Sequence, residues 1–359
     1  MGTLTQSKRQ LSWVVDLNKC IGCQTCSVAC KVLWPQEDPG TESMWWMTVN
    51  TMPGRGMPRD WESMGGGYVD GKLQLGRAPT KDEIGGGWDY NFDEVLRGGK
   101  RAGESQLIAT DGNRNWGMNW DEDEGGGEYP NSYYYYMPRM CGHCTKPACV
   151  ESCPHDAVFK REEDGVVLID EEKCQGNGSC VKACPYKKID FNRETKVAQK
   201  CIGCFPRVDH GVAPACVRQC PGRAMFVGFL DDEDSIVHKL VHKWKVAIPE
   251  HPEFGVESNF YYVPPLAPTP SHADGSINEE GDRIPREHLE SKFGPAVNPA
   301  LETLKGEMEK RRNGESSELM ESLILYQWKD ALGHLQRDPA EIDWTSEPTI
   351  YDPAKGGAS

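Results

Sequence analysis

The stretch CIGCQTCSVAC, from Cys20 to Cys30, spaces four cysteines as Cys-x2-Cys-x2-Cys-x3-Cys. All 15 cysteines of this 359-residue chain fall into four runs of this kind, and none lies outside them. The second, third and fourth runs contain Cys141, Cys144, Cys149 and Cys153; Cys174, Cys180 and Cys184; and Cys201, Cys204, Cys216 and Cys220. This grouping indicates that the cysteines act in sets, so the chemistry of the sets decides the fold.

Disulfides, zinc sites and iron-sulfur clusters all use several cysteines, and the spacing separates these alternatives. Disulfides explain the runs poorly, because the number of cysteines is odd and the long chain starts without a secretion signal of its own. Zinc sites also use Cys-x2-Cys pairs. The first run, however, has the spacing of bacterial ferredoxins, and the other three runs end in Cys-Pro. The sequence therefore predicts iron-sulfur clusters.

The segments around the runs repeat as well. AVFKREEDGVVLID, residues 157–170, predicts two strands around a polar turn, and KIDFNRETKVAQ, residues 188–199, repeats this form. The repetition predicts an α+β fold of two ferredoxin-like modules, a double 4Fe-4S ferredoxin repeat with much irregular chain. We expect the first module at 10–44 and 190–230, a loop-rich insertion at 45–132, the second module at 133–189, and a C-terminal tail of helices and extended chain at 231–359.

Paired ferredoxin motifs exchange their last cysteines, and nesting the four runs in the same way assigns the ligands. We expect three 4Fe-4S clusters, held by Cys20, Cys23, Cys26 and Cys220, by Cys30, Cys201, Cys204 and Cys216, and by Cys141, Cys144, Cys149 and Cys184. Only Cys153, Cys174 and Cys180 remain for a fourth cluster. The shortage of thiolates is thereby confined to one site.

Asn177 stands in the third run, CQGNGSCVKACP, where a further cysteine is expected. A cluster corner needs a soft, anionic ligand, and a neutral amide is neither. We therefore expect a 3Fe-4S cluster, with Asn177 at the corner that has no ligand. A 4Fe-4S cluster with water or the Asn177 amide on its fourth iron is the alternative.

Charge and composition limit the partners. The formal net charge of -15 argues against nucleic acid or an anionic membrane surface as the main partner. No apolar run approaches the roughly 20 residues of a membrane span, and the start of the chain does not read as a signal peptide. With 38% hydrophobic residues, 38 Gly and 25 Pro, the chain is expected to need metal sites or a partner for stability.

Segments outside the runs also predict ordered structure. The insertion holds too many tryptophans for a disordered linker, namely Trp45, Trp46, Trp61, Trp88, Trp116 and Trp120. DDEDSIVHKLVHKWKV, residues 231–246, predicts a capped amphipathic helix, and residues 301–332 predict further helix. Extended, proline-rich chain is expected between Pro249 and Pro299. We expect this tail to pack on the modules or on a partner subunit.

Some histidines and basic residues lie close to the cysteines. His143 and His155 are interpreted as supporting or surface groups, because the cysteines already account for the clusters. The basic residues either offset the negative charge of the clusters or form surface ion pairs. They are Lys31, Arg139, Lys146, Arg207 and Arg218.

Several of these stretches together resemble the iron-sulfur β subunits of the type II molybdenum oxidoreductases of the dimethyl sulfoxide reductase superfamily. They are LNKCIGCQTCSVACK, RMCGHCTKPACVESCP, CVKACPYKKIDFN, CIGCFPRVDHGVAPACVRQCPGR, WDEDEGGGEYPNSYYYYMPRMC, HKLVHKWKVAIP and FYYVPPLAP. The resemblance implies a non-catalytic subunit that relays electrons between a molybdopterin-containing α subunit and a haem b γ subunit. It implies three 4Fe-4S clusters and one 3Fe-4S cluster, and family members often have a residue other than cysteine at the position of Asn177.

The resemblance also bears on compartment and substrate. In the periplasmic members the α subunit carries a twin-arginine signal and exports the folded β subunit, so we expect the periplasm, with the cytoplasm as the alternative. We expect a complex of the ethylbenzene dehydrogenase type. The alternatives are a nitrate, selenate, chlorate or perchlorate reductase, a dimethyl sulfide dehydrogenase, and a free-standing polyferredoxin.

Overall fold

The largest sheet joins the start of the chain to segments that follow the last cysteine run. The computed structural model describes residues 7–35, 39–41, 43–85, 125–279 and 281–346. The central strand of the largest sheet is β1 (Leu11–Asp16). It pairs antiparallel with β10 (Met225–Phe229) and parallel with β12 (Phe260–Val263), and β11 (Ile248–Pro249) pairs with β12. All six residues of β1 are buried, as a strand between two neighbours requires.

Two hairpins follow the second and third cysteine runs. In the first, β6 (Val158–Lys160) pairs antiparallel with β7 (Val167–Ile169). In the second, β8 (Asp190–Phe191) pairs antiparallel with β9 (Ala198–Gln199). Gly165 adopts a φ of 70° in the first turn, which glycine does at no steric cost. The alternating sequence predicts both hairpins, and the structure confirms them.

Each cysteine run contributes a short helix. In chain order the helices up to the fourth run are α1 (Thr25–Leu33), α2 (Lys81–Ile84), α3 (Ala148–Glu151), α4 (Ser179–Ala183), α5 (Phe205–Val208) and α6 (Ala215–Arg218). α1 packs against α6, and α3 packs against α4. The first run therefore lies beside the fourth, and the second beside the third.

The described part of the insertion packs on the cysteine-rich chain. β2 (Thr48–Met52) pairs antiparallel with β5 (Tyr135–Arg139), and β3 (Tyr68–Val69) forms a hairpin with β4 (Lys72–Leu73). Trp45, Trp46 and Trp61 are buried. The insertion, predicted to be ordered, also includes Trp88, Trp116 and Trp120, which lie outside the described residues.

The tail packs on the first part of the chain. Its helices are α7 (Ile236–His238), which continues as a π-turn over Lys239–Lys243, α8 (Arg286–Phe293), α9 (Val297–Arg312) and α10 (Glu318–Ile324). Side chains of α7, α9 and α10 share one hydrophobic cluster with β1 and β10, made of Val14, Phe226, Val237, Leu240, Leu304, Leu319 and Leu323. The amphipathic helix predicted over 231–246 is shorter than expected, from Ile236 to Lys243, and the Ser235 hydroxyl caps it by accepting the Val237 N–H at 3.3 Å.

The expectation of extended chain from Pro249 to Pro299 agrees with β12, which is extended and belongs to the main sheet. It is wrong at α8, which lies where no helix was predicted, and at the start of α9. Leu289 and Phe293 explain α8, because they lie four residues apart on one face and both are buried. In the described ranges, no helix has the length and apolar character needed to cross a membrane.

Ionic contacts join the insertion to the tail. His251, which is only 6% exposed, contacts Glu62 Oε1 through Nε2 at 3.2 Å and Glu253 Oε1 through Nδ1 at 2.7 Å. Lys292 of α8 also donates to Glu62. Burial opposes the charge on His251, but its hydrogen bond to Glu62, the charge of Glu250 and the bond to Glu253 outweigh burial and raise the pKa of the imidazole.

We expect Leu319→Ala to detach α10 from the cluster shared with β1 and β10. Leu319 is 1% exposed, and truncation of a buried leucine costs about 2–5 kcal/mol. Hydrogen exchange in α9 and α10 should become faster. Ile324→Ala, at a residue of the same helix that is 40% exposed, is the matched control and should leave exchange unchanged. Equal protection in the two variants would contradict the described packing.

The His251 contacts predict a dependence of stability on pH. A folded-state pKa raised above the ordinary 6.5 stabilises the fold below that pH, and this contribution is lost as the pH rises through the folded pKa. The thermal unfolding temperature of the wild type should therefore fall more than that of His251→Gln as the pH rises above about 6.5. The exposed His272 offers a control, since His272→Gln should behave like the wild type. Identical pH profiles for His251→Gln and the wild type would refute this prediction.

Candidate metal centres

The first predicted set, Cys20, Cys23, Cys26 and Cys220, lines one cavity. Burial raises the pKa of Cys26 to about 12, and the charges of the other three sulfurs add to the rise. Gly22 turns the loop at a φ of 66°, and a Cβ there would lie 2.6 Å from the Tyr136 ring. Glycine at this position therefore lets the loop that carries Cys20 and Cys23 lie against that ring.

The second predicted set, Cys30, Cys201, Cys204 and Cys216, lines another cavity. Burial raises the pKa of Cys216 well above its usual range, and the charges of the other three sulfurs add to this effect. Several donors point at these sulfurs, among them the backbone N–H of Ala215 at Cys204. The Gly203 N–H lies 3.4 Å from Cys201 Sγ, and the Trp34 indole N–H lies 3.2 Å from Cys204 Sγ.

The third predicted set, Cys141, Cys144, Cys149 and Cys184, lines a third cavity. Burial raises the pKa of Cys149 well above its usual range, followed by the charges of Cys184 and Cys141. The His143 N–H lies 3.5 Å from Cys141 Sγ. The structure thus gathers each predicted set of four thiols around a cavity of its own.

The three cysteines left over also meet. Burial raises the pKa of Cys180 to about 12, and the charges of Cys153 and Cys174 add to the rise. Asn177 is exposed, and its side-chain oxygen accepts the Ser179 N–H at 3.2 Å where α4 begins. The amide therefore makes a local turn contact, and it is exposed although Cys153 and Cys180 are buried.

The spacing of the sulfurs separates a single metal ion from a cluster. A zinc ion with Zn–S bonds of about 2.3 Å holds its four sulfurs about 3.8 Å apart. All 15 cysteines lie in the described ranges, yet no three of their sulfurs lie within 4.8 Å of one another. A cluster suits such sets better, because each thiolate binds a different iron. The soft, anionic donors also suit iron-sulfur chemistry.

The described ranges contain one group of side chains that is compact enough for a single ion, and it consists of Glu62, Glu250 and His251. Basic side chains already neutralise its carboxylates. Lys292 donates to Glu62, and Arg139 donates to Glu250 at 3.3 Å. We interpret this group as an ion-pair network.

The four sets follow one another through the fold. The charge of Cys26, of the first set, acts on Cys216 of the second. The charge of Cys141, of the third set, acts on Cys201 of the second. Cys149 and Cys184 of the third set pack against the hydrophobic cluster that contains Cys153 and Cys180. Each set therefore has a neighbour, and the order is first, second, third and fourth.

Buried basic residues lie between and beside the sets. Lys188 is 6% exposed and acts electrostatically on Cys30, while Cys184 and Cys201 act on Lys188. Lys160 donates to the Cys144 carbonyl at 3.0 Å, and Lys200 donates to the Cys201 carbonyl at 2.9 Å. Lys160 and Lys188 were not predicted from the sequence to lie beside the clusters. The only feature of the sequence that could have pointed to these two lysines was their position in or next to the predicted hairpins.

The basic residues that the sequence did single out divide into two groups. The charge of Arg207 acts on Cys204. The other four have partners other than sulfur: the buried Lys31 donates to the Met44 carbonyl at 3.0 Å, and the buried Arg139 pairs with Glu250. Lys146 is exposed and pairs with Glu257, and Arg218 pairs with Asp338. Both alternatives, a charge near the sulfurs and a surface ion pair, are therefore realised.

His143 supports the loop between Cys141 and Cys144. It is fully buried, its Nδ1 accepts the Val167 N–H at 3.1 Å, and its ring lies on Trp13 with the centroids 5.3 Å apart. Burial lowers the pKa of the imidazole well below its usual range, as do the charges of Lys200 and Lys160. This is the supporting role that was expected. His155 is half-buried, and the structure gives it no place in the four sets.

Comparison with known proteins gives a consistent answer. A family model described as a 4Fe-4S dicluster domain matches residues 132–230. The selenate reductase β subunit of Thauera selenatis is 52% identical, over 91% of this chain and 99% of that protein. The dimethylsulfide dehydrogenase β subunit of Rhodovulum sulfidophilum is 50% identical over 89% and 97%. The chlorate reductase β subunit of Ideonella dechloratans is 49% identical over 91% and 99%.

Proposed function

The chain belongs to the family of iron-sulfur β subunits of the type II dimethyl sulfoxide reductase superfamily, and on this premise we propose that it relays electrons between an α and a γ subunit. The α subunit would bind the molybdopterin cofactor and the γ subunit haem b. When bound, the iron-sulfur clusters supply one-electron transfer. The observation that carries the proposal is the succession of four thiol sets, each too widely spaced for a single ion.

We propose that the ligand sets are those derived from the spacing of the runs. Cys20, Cys23, Cys26 and Cys220 would hold one 4Fe-4S cluster. The second would be held by Cys30, Cys201, Cys204 and Cys216, and the third by Cys141, Cys144, Cys149 and Cys184. The shared cavities and the mutual electrostatic effects of the sulfurs support this assignment.

The cysteine-rich chain would form two ferredoxin-like modules. Residues 10–44 with 190–230 would form the first, and 133–189 the second. The packing of α1 on α6 and of α3 on α4 supports this division, as do the two hairpins. The insertion at 45–132 and the tail at 231–359 would extend the surface available to partner subunits.

The fourth site would hold a 3Fe-4S cluster on Cys153, Cys174 and Cys180. The exposure of Asn177 supports this proposal, as does the hydrogen bond that its side-chain oxygen accepts from Ser179. A neutral amide engaged in a local turn is a poor ligand for iron. The reduction potential of this site should then differ from those of the other three, because potential follows cluster type and charge.

The surface beside the first set suits a partner subunit. Cys23 is exposed, and Ile21 is 63% exposed. Val32 and Leu33, at the end of α1, are also exposed. Exposed apolar side chains beside a redox site are typical of a surface that another protein covers. A subunit seated there would shield the first set from water.

The three relatives are β subunits of two oxyanion reductases and of a dimethylsulfide dehydrogenase. We therefore propose a complex of one of these kinds. The ethylbenzene dehydrogenase type expected from the sequence finds no support in these relatives.

We further propose that the folded chain is exported to the periplasm together with its α subunit, on the basis of the family resemblance. Fractionation of cells would test this proposal. Recovery of the chain in the cytoplasm would contradict it.

Replacing Asn177 by cysteine should supply the missing thiolate. We expect the oxidised wild type to give the paramagnetic resonance signal of a 3Fe-4S cluster, and Asn177→Cys to lose it and gain a 4Fe-4S cluster of lower potential. Asn177→Ser is the matched control, because it keeps a side-chain oxygen for the turn but provides no thiolate. A wild type without the 3Fe signal would contradict the assignment of the fourth site.

Purification from the native host should separate a subunit from a free carrier. We expect the chain to copurify with a molybdenum-containing subunit and with haem b, since its relatives are β subunits. Metal analysis and the haem absorption spectrum measure this directly. An isolated iron-sulfur monomer would instead favour a free-standing polyferredoxin.

A further inference from the structure

Trp34 connects the first cysteine run to a ligand of the fourth. It follows α1 directly, and its backbone N–H donates to the Cys30 carbonyl at 3.1 Å. Its indole N–H donates to Cys204 Sγ at 3.2 Å, across 170 residues of sequence. The end of α1 thereby places one side chain against the second set, to which Cys30 and Cys204 both belong.

Two further tryptophans, Trp13 and Trp46, line the same cavity together with Trp34 and the four cysteines. Their indole nitrogens are buried and have no hydrogen-bond partner among the protein atoms. Of these three indoles, that of Trp34 is therefore the one that donates to a ligand sulfur. The cavity thus contains one indole that donates to a ligand sulfur and two that do not.

A hydrogen bond to a ligand sulfur affects the two redox states unequally. Reduction adds one electron and hence one negative charge, part of which falls on the sulfurs. An N–H donor stabilises the more negative state more strongly, because hydrogen bonds to charged acceptors are the stronger ones. Hydrogen bonds to the sulfurs are among the factors that set cluster potentials. The Trp34 contact should accordingly raise the potential of the second set.

We propose that Trp34 is a positioning residue that raises the reduction potential of the cluster held by Cys30, Cys201, Cys204 and Cys216 through its indole N–H. The inference rests on the proposed function, because it requires a cluster at this set. With this hydrogen bond, the cluster would accept an electron more readily than its four cysteine ligands alone would allow.

The test is a redox titration of the whole purified complex, followed by paramagnetic resonance, with dithionite as the reductant. Trp34→Phe keeps an aromatic ring but removes the N–H. We expect the oxidised-to-reduced ratio of one cluster at a given potential to rise about tenfold, which is about 59 mV for a one-electron couple. The other three midpoint potentials should stay in place and serve as internal controls.

Trp46→Phe is the matched control, because it makes the same change of ring in the same cavity without removing a donor to a ligand sulfur. It should leave all four potentials unchanged. If Trp34→Phe fails to assemble, 3-benzothienylalanine at position 34 keeps the shape of the ring without its N–H, and the same shift is expected.

Unchanged potentials in a Trp34→Phe complex that retains its clusters would overturn the inference. Equal shifts in Trp34→Phe and Trp46→Phe would also overturn it, since they would point to a general effect of the cavity. A wild-type complex without four redox-active clusters is a different result, because it would contradict the proposed function itself.

Discussion

Thiolates from runs far apart in the sequence must meet around common metal centres, and the rest of the structure depends on this requirement. In the proposed ligand sets, Cys220 has to reach Cys20 and Cys26, and Cys30 has to reach Cys201. The pairing of β1 with β10 and the packing of α1 on α6 meet both demands. Metal-thiolate bonds form only in the folded chain, so their free energy adds to its stability. This compensates for a chain that is only 38% hydrophobic.

Burial makes the cysteine thiols hard to ionise without a metal, and buried lysines lie in the same region. The main hydrophobic core includes cysteines of the first three sets, and burial there raises the pKa of Cys201 to about 12. Thiols of this kind keep their protons at neutral pH unless a metal replaces them. Lys188 and Lys200 bring positive charge into the same region. The fold therefore prepares a site that is costly for free thiolates and suited to a positively charged iron core.

The sequence predicts local features well, because spacing and alternation act over a few residues. The four cysteine runs follow from local spacing, and the two hairpins follow from alternating side chains around polar turns. The predicted sets that join distant runs rest instead on the nested pairing of ferredoxin motifs. Other contacts over long distances in the sequence were missed. The pairing of Glu62 with Lys292, the contact of Trp34 with Cys204 and the position of Lys188 between two sets all depend on tertiary packing. α8 was missed because its apolar residues, Leu289 and Phe293, are too few to give a clear helical pattern.

Native mass spectrometry of the isolated β chain tests the central claim most directly, because the mass beyond that of the polypeptide identifies what the four thiol sets hold. The account predicts the added mass of three 4Fe-4S clusters and one 3Fe-4S cluster. An added mass corresponding to zinc ions, or to four 4Fe-4S clusters, would contradict it.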